Sequence, residues 1–344
     1  MRTVVAALSL GLCVVACTAD VPSSGSGASS RASIVAPSAT PDRGTGQEPV
    51  VDAKNPVAPG FWPVSVAFWD EDDGLLAGKV YLCEGCERSR GAIALTRDGG
   101  MTWRVTFSGS TGVDDLRVMT GGLALATVGD RHTKIVASRD GGRTWRVWRG
   151  SEGLSHASFH DRGHGWAVTA GGVGLMEWAG FRWRALEDPC PGEIVDISFP
   201  EDGGGRGWLA CSMEAGAGME PKGIYETPDG GVSWQARTLV RPDRPKSSTG
   251  EGLSAYGYLN AISFLPDGRG WLVESRGTFY ATTDAGTTWR ANRRFQEPEI
   301  AFGSSAWRVD SMLGFALVDR RGMVLHATHD GGDSWARVAS FRSP

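Results

Sequence analysis

The chain has 344 residues, 41% hydrophobic and 22% charged, with a net charge of −4. That balance describes an ordinary globular protein, and it excludes the basic excess that marks nucleic-acid binders and proteins of anionic membrane surfaces. Its 49 glycines and 14 tryptophans are what an all-β fold of many short strands and tight turns consumes.

At the N-terminus, Met1-Arg2 forms a minimal positive region and Val4 to Val15 an apolar run of signal-peptide length, too short to span a bilayer. The run ends in Val14-Val15-Ala16-Cys17, which resembles the bacterial lipobox. Residues 1–16 are therefore expected to be removed as a signal peptide, taking Cys13 with them, and Cys17 to carry lipid. Such a lipid would make the anchor the sole membrane contact. Residues 17–59 are rich in Ser, Gly, Pro and Ala, bury too little to offset chain entropy, and read as a flexible tether to a domain of residues 60–344.

Within that domain one eight-residue stretch recurs. Thr96 to Trp103 (TRDGGMTW) returns at Ser138 to Trp145, Thr227 to Trp234, Thr282 to Trp289 and Thr328 to Trp335, with a degenerate copy at Met176 to Trp183. The five full copies share Asp98, Gly100 and Trp103; Asp140, Gly142 and Trp145; Asp229, Gly231 and Trp234; Asp284, Gly286 and Trp289; and Asp330, Gly332 and Trp335. In the degenerate copy Trp178 stands in the aspartate position, and successive positions lie 38 to 55 residues apart, the period of propeller blades. An Asp that accepts backbone N–H groups, a Gly with positive φ and a Ser or Thr hydroxyl make a self-satisfying turn. The Trp that follows begins the next strand and is placed to wedge one repeat against its neighbour.

Ahead of each turn the grammar is constant. An alternating segment such as Ile194 to Phe199 leads through a Gly-bearing turn to a Gly-Trp strand (Gly165-Trp166, Gly207-Trp208, Gly270-Trp271, with Gly314-Phe315 as a variant). A third short strand delivers the chain to the Asp turn, and the Trp strand is the fourth. The expected fold is all-β, a propeller of six four-stranded antiparallel blades, or seven if a further degenerate copy is hidden, with the Asp turns between strands 3 and 4.

The Ser/Thr-x-Asp-x-Gly-x-Ser/Thr-Trp pattern resembles the Asp-box, or bacterial neuraminidase repeat. Paired with the Gly-Trp strands, it resembles the propeller family of photosystem II stability and assembly factors. That resemblance implies a binding or chaperone-like role in assembling extracytoplasmic complexes, without chemistry of its own. A propeller is a scaffold for many functions, however, and sialidases carry such boxes too.

Antiparallel alternation sorts the loops by face. The 2–3 and 4–1 loops fall on one end, here called the top, and the 1–2 loops and Asp turns on the bottom. Three long insertions lie on top: Tyr81 to Arg90, Cys211 to Lys222, and Arg241 to Tyr258. Loops that outgrow a hairpin's need are where binding concentrates. Arg241, Arg244, Lys246, Tyr256 and Tyr258 are the candidate binding residues, a mixture of cation and aromatic suited to a protein partner or, as the alternative, to a cell-envelope glycan.

Four cysteines remain after Cys13 and Cys17: Cys83, Cys86, Cys190 and Cys211. Four admit three pairings, and Cys190 and Cys211 both fall at the top of adjacent strands, so Cys190–Cys211 with Cys83–Cys86 is the expected pairing in an oxidising compartment. Metal and cofactor sites are not expected. His156 lies in an alternating strand while His160 and His164 lie in the next turn, which denies them helical stacking, and Asp70 to Asp73 lack the spacing of a calcium loop. Glycoside hydrolysis of the sialidase type would need an arginine cluster and a Tyr–Glu nucleophile at the channel. With only five tyrosines, all in insertions or third strands, no catalytic residue is assigned.

Overall fold

The computed structural model describes residues 60–83, 88–130, 132–214, 216, 218–241, 252–275, 278–292, 305–319 and 322–342. Cys17, the tether, Cys86, Arg244 and Lys246 lie outside them. The described chain forms six four-stranded antiparallel sheets, each built from four consecutive strands. Blade 1 holds β1 (Phe61–Phe68), β2 (Asp73–Tyr81), β3 (Ser89–Arg97) and β4 (Arg104–Gly109). Blade 2 holds β5 (Val113–Met119), β6 (Leu123–Val128), β7 (Lys134–Ser138) and β8 (Arg146–Val147). Blade 3 holds β9 (Leu154–Phe159), β10 (Gly165–Thr169), β11 (Leu175–Ala179) and β12 (Arg182–Leu186). Blade 4 holds β13 (Glu193–Ser198), β14 (Gly207–Ser212), β15 (Lys222–Thr227) and β16 (Gln235–Val240). Blade 5 holds β17 (Leu259–Phe264), β18 (Gly270–Glu274), β19 (Phe279–Thr282) and β20 (Arg290–Asn292), and blade 6 holds β21 (Ser305–Arg308), β22 (Gly314–Asp319), β23 (Met323–Thr328) and β24 (Ala336–Phe341). First strands touch first strands all the way round, β1 to β5, β9, β13, β17, β21 and back to β1. The ring therefore closes at six blades.

First strands of different blades do not pair as sheets, so backbone N–H groups at the seams need other acceptors. Serine hydroxyls supply them. Ser65 Oγ accepts from Leu116 N, Ser158 Oγ from Phe199 N, Ser198 Oγ from Phe264 N and Ser263 Oγ from Arg308 N, at 2.9 to 3.1 Å. Trp307 Nε1 donates to Phe68 O and joins blade 6 to blade 1.

The Asp turns form the network expected from their residues. In blade 2, Asp140 Oδ1 accepts from Thr144 N at 2.9 Å, Oδ2 accepts from Thr144 Oγ1 at 2.7 Å, and Ser138 Oγ accepts from Gly142 N at 2.8 Å. These bonds, that from Thr144 first, hold the Asp140 carboxyl well below its ordinary value, and Ser334 and Ser233 do the same for Asp330 and Asp229. Each turn also locks to the 1–2 loop of its own blade, as in Gly141 N to Gly122 O and Gly230 N to Gly205 O.

The Asp-turn Trp lies against the preceding blade, as Trp335 of blade 6 does on Trp271 of blade 5, and a second, strand-2 aromatic wedges the seam beside it. Trp166 of β10 stacks on Phe199 of the next blade with centroids 3.8 Å apart, and Trp208 of β14 on Phe264 at 4.3 Å. Phe315 stacks on Phe68 to close the ring, and Arg308 takes the Phe place over Trp271. Three of the Asp-turn tryptophans also meet the Phe of their own blade edge-on, as Trp234 meets Phe199 and Trp289 meets Phe264, while Trp145 meets Phe107 of the preceding blade. The Gly-Trp pairing now has a cause: a Cβ at Gly207 would sit 2.2 Å from the Phe199 ring. The strand-2 Trp reaches across the seam because the glycine before it lets Phe fold beneath.

Candidate functional site

The first strands enclose a channel, and five of them (β1, β5, β9, β13 and β17) carry a register shift midway along. Such bulges re-aim side chains. At three of them the chain places Asp115, His156 and Asp196, whose ligand-type atoms all lie within 4.8 Å of one another. His156 takes φ +46°, uncommon for a residue with a Cβ. Arg117, two residues after Asp115 on β5, donates to Asp115 Oδ1 at 2.7 Å and to Asp196 Oδ1 at 2.5 Å, and lies over the Trp307 ring. Asp196 Oδ2 accepts from Ile262 N at 2.8 Å. One cluster thus touches blades 2, 3, 4, 5 and 6 and plugs the channel.

Its electrostatics follow from burial and one shared cation. Burial works against ionising Asp196, yet Arg117 and then His156 outweigh it and hold the carboxyl below 3.8. At Asp115 burial wins over Arg117 and the carboxyl is raised. Burial disfavours the His156 cation, but Asp196, 3.5 Å from Nδ1, and Asp115 raise it above 6.5. Three residues of the types that elsewhere hold a metal here sit around a guanidinium, which the two carboxylates hold.

Toward the Asp-turn end the plug floors a cavity of about 280 Å³ whose walls include Trp69, Thr120, Glu201, Trp307 and Arg308. Glu201 of blade 4 accepts from Thr120 N at 2.8 Å and Thr120 Oγ1 at 2.9 Å, so this rim is tied from blade 2 to blade 4. Burial lowers Arg308 to about 10, and its NH2 donates to Ser311 O.

At the opposite end, two of the three long insertions fold against each other. Met219 and Tyr256 form a β-bridge, Glu220 N donates to Ala255 O, and Gly257 N donates to Gly218 O. Beneath them Lys222 is wholly buried, donating to Gly257 O at 2.8 Å and Glu274 Oε1 at 2.6 Å, while burial pushes Glu274 up to about 7 despite the lysine. Leu253 and Ala255 enter the same buried cluster as Trp208 and Leu259. The result is a built ledge on blades 4 and 5.

Of the candidate binding residues, Tyr256 stands on this ledge 58% exposed, and Arg241 is exposed where β16 ends. Tyr258 is half-buried, its N–H donating to Ser275 Oγ and its carbonyl accepting from Ser275 N. Cys190 and Cys211 are bridged with Cα atoms 5.5 Å apart, and Cys83 is disulfide-bonded. His164 pairs with Asp161 in its turn, remote from His156. Asp70 Oδ1 accepts from Asp72 N and Asp73 N within its own loop. The channel residues Asp115, Arg117 and Asp196 carry no motif. Their one signal is a charge at an inward position of a first strand, visible in Asp115-Leu-Arg117 and Val195-Asp196-Ile197.

Fold and site together define a six-bladed β-propeller whose channel is closed by its own charges. No protein-family model matches the chain. It is 25% identical over 162 residues to the photosystem II assembly lipoprotein Ycf48 of Synechococcus sp. (strain CC9902), covering 44% of this chain and 39% of that protein. It is 31% identical over 155 residues to the chloroplastic photosystem II stability/assembly factor HCF136 of Arabidopsis thaliana, covering 43% of this chain and 35% of that one. The matched stretch thus spans well under half the length of either relative. Among solved structures, Ycf48 bound to a D1 peptide aligns over 81% of this chain and 82% of its own at 15% identity and TM-score 0.47. The α-L-arabinofuranosidase Arb93A of Fusarium graminearum aligns over 82% and 94% at 14% identity and TM-score 0.51, a likeness of fold.

Proposed function

We propose that this protein is an extracytoplasmic propeller lipoprotein, anchored through Cys17, that binds a polypeptide partner at its top-face ledge during assembly of an envelope or membrane complex. The observation that carries the reading is the ledge itself. A merely tolerated insertion has no need of a buried lysine, yet Lys222 ties residues 218–220 and 255–257 to Glu274 of blade 5. Pre-organised loops on a rigid scaffold lower the ordering cost of binding. The partial likeness to Ycf48 and HCF136 supports a role in assembly, and the Cys190–Cys211 bridge supports an oxidising compartment.

In the channel Asp115 and Asp196 share one guanidinium and Glu201 accepts from Thr120. The test is crosslinking with mass spectrometry in the native membrane, comparing wild type with Arg241→Gln/Tyr256→Ala. One dominant protein partner, lost in the variant, is the expected result. Crosslinks that persist unchanged, or that map to the Asp-turn face, would overturn the ledge assignment. Release of Cys17→Ser from the membrane fraction tests the anchor.

A further inference from the structure

Five seams of the ring share a clip, and the sixth lacks it. The glycine two residues after each turn aspartate lies against the preceding blade: a Cβ at Gly100 would meet Leu325 of blade 6, at Gly142 Leu75, at Gly231 Leu186, at Gly286 Ile224 and at Gly332 Trp271. Blade 3 replaces this turn with the tight pair Gly180-Phe181, both at positive φ, and a Cβ at Gly180 would meet nothing within 4 Å. Blade 2 keeps the other half in smaller form: Leu125, opposite Arg117 where blades 3 to 6 set a Trp or Phe, enters one buried cluster with Phe159 and Trp178 of blade 3. The seam between blades 2 and 3 therefore has a leucine in place of the aromatic wedge and no Asp-turn glycine on its outer side. Blade 2 contributes to the gap, because β8 has only two residues.

What fills this seam is an aromatic floor with cations above it. Trp148, Trp178 and Phe159 pack together, and a cleft of about 520 Å³ remains over them, lined by Arg139, Arg146, Arg149, Trp148 and Trp178. All three arginines are exposed, and none meets a carboxylate among the described residues. Arg139 lies over the Trp148 ring. The cleft's one acid, Asp140, has both oxygens engaged by Ser138, Arg143 and Thr144 in its own turn. In a chain of net charge −4, three unpaired cations around indole rings are a local reversal of sign.

We propose that this cleft binds an acidic saccharide, a ring carrying carboxylate or phosphate groups. Guanidinium groups pair with such anions in a planar, bidentate way, and the indoles offer an apolar surface for a sugar face. An added peptide strand fits less well. The β8 edge is two residues long, and Ile135 of β7 already bonds Trp148 N and Ser151 Oγ, so the backbone offers no ladder to an incoming strand. A neutral sugar fits less well too, because the one carboxylate is occupied and hydroxyl groups would face donors only. The inference stands apart from the ledge reading, which lies on other blades.

The test is titration calorimetry on the full chain in detergent with trigalacturonate, maltotriose, a tetraglutamate peptide and inorganic phosphate. The expected result is one saturable trigalacturonate site, weakened at least tenfold in Arg139→Gln/Arg146→Gln/Arg149→Gln and by added salt, with no maltotriose binding. The three positions are exposed, and a melting curve matching wild type confirms that the variant folds. Arg182→Gln/Arg184→Gln, on the neighbouring strand outside the cleft, should bind as wild type does. Absence of trigalacturonate binding, an unchanged affinity in the triple variant, or equal loss in the neighbouring pair would overturn the site. Equal affinity for tetraglutamate or phosphate through the same arginines would overturn the saccharide assignment.

Discussion

The seam between blades 3 and 4 and the seam between blades 2 and 3 solve one packing problem in opposite ways. At the first, Trp166 stacks on Phe199, donates Nε1 to Gly230 O of the incoming turn, and the turn lays Gly231 on Leu186. At the second, Leu125 stands where the first has its strand-2 tryptophan, no Asp turn follows, and Trp148 with Trp178 covers the outer side instead. Blade 2 is also tied directly to blade 4, by Arg117 to Asp196 through the channel and by Thr120 to Glu201 at its mouth. The ring thus has one seam without the turn clip, and the hub bridges over it.

The largest expected effect comes from removing that bridge. Arg117→Gln leaves two buried carboxylates without their cation and should cost about 3–5 kcal/mol by denaturant titration; a loss below about 1 kcal/mol would mean the plug does not hold the ring. Trp208→Ala, at a clipped seam, removes a fully buried indole and should cost about 3–5 kcal/mol. The same change at half-buried Trp148 should cost less than half as much, and equal losses would erase the distinction between seams.

Glycines sharpen it further. Gly231→Ala meets both a positive φ and Leu186, adding about 1–3 kcal/mol of overpacking to the conformational strain, whereas Gly180→Ala pays about 1 kcal/mol for its φ alone. Glu201→Ala at the exposed rim should cost only about 0.5–1 kcal/mol. The pH dependence gives the smallest and most local readout. The turn aspartates have folded values below 3.8, so their stabilisation is present above 3.8 and lost as pH falls through the depressed values. Asp140→Asn should flatten that acid limb. His156, raised in the fold, stabilises below 6.5 and loses this contribution as pH climbs through its folded value, so His156→Gln should flatten the alkaline side.

Strand order within each blade and the position of every Asp turn were legible in the sequence, because each depends on nearby residues, whereas the choice of six blades over seven fell to the contact of β21 with β1. Thr96, Asp98, Gly100 and Thr102 satisfy one another's hydrogen bonds wherever the chain goes. The Cys190–Cys211 pairing was legible once the strands were in order, since it joins neighbouring strand ends. The degenerate sixth copy was visible as well, but the cleft it opens was not. That cleft needs the absence of a turn in blade 3 to coincide with a short β8 and three arginines of blade 2.

The channel plug lay further out of reach. Arg117 and Asp196 stand 79 residues apart, and ring closure alone turns two unremarked strand charges toward each other. Local chemistry, repeated, determined that this chain is a propeller. Which aromatic faces which across each seam, which seam lacks a turn glycine and which charges meet on the axis were decided by tertiary structure, because each is a contact between blades that only the closed ring creates.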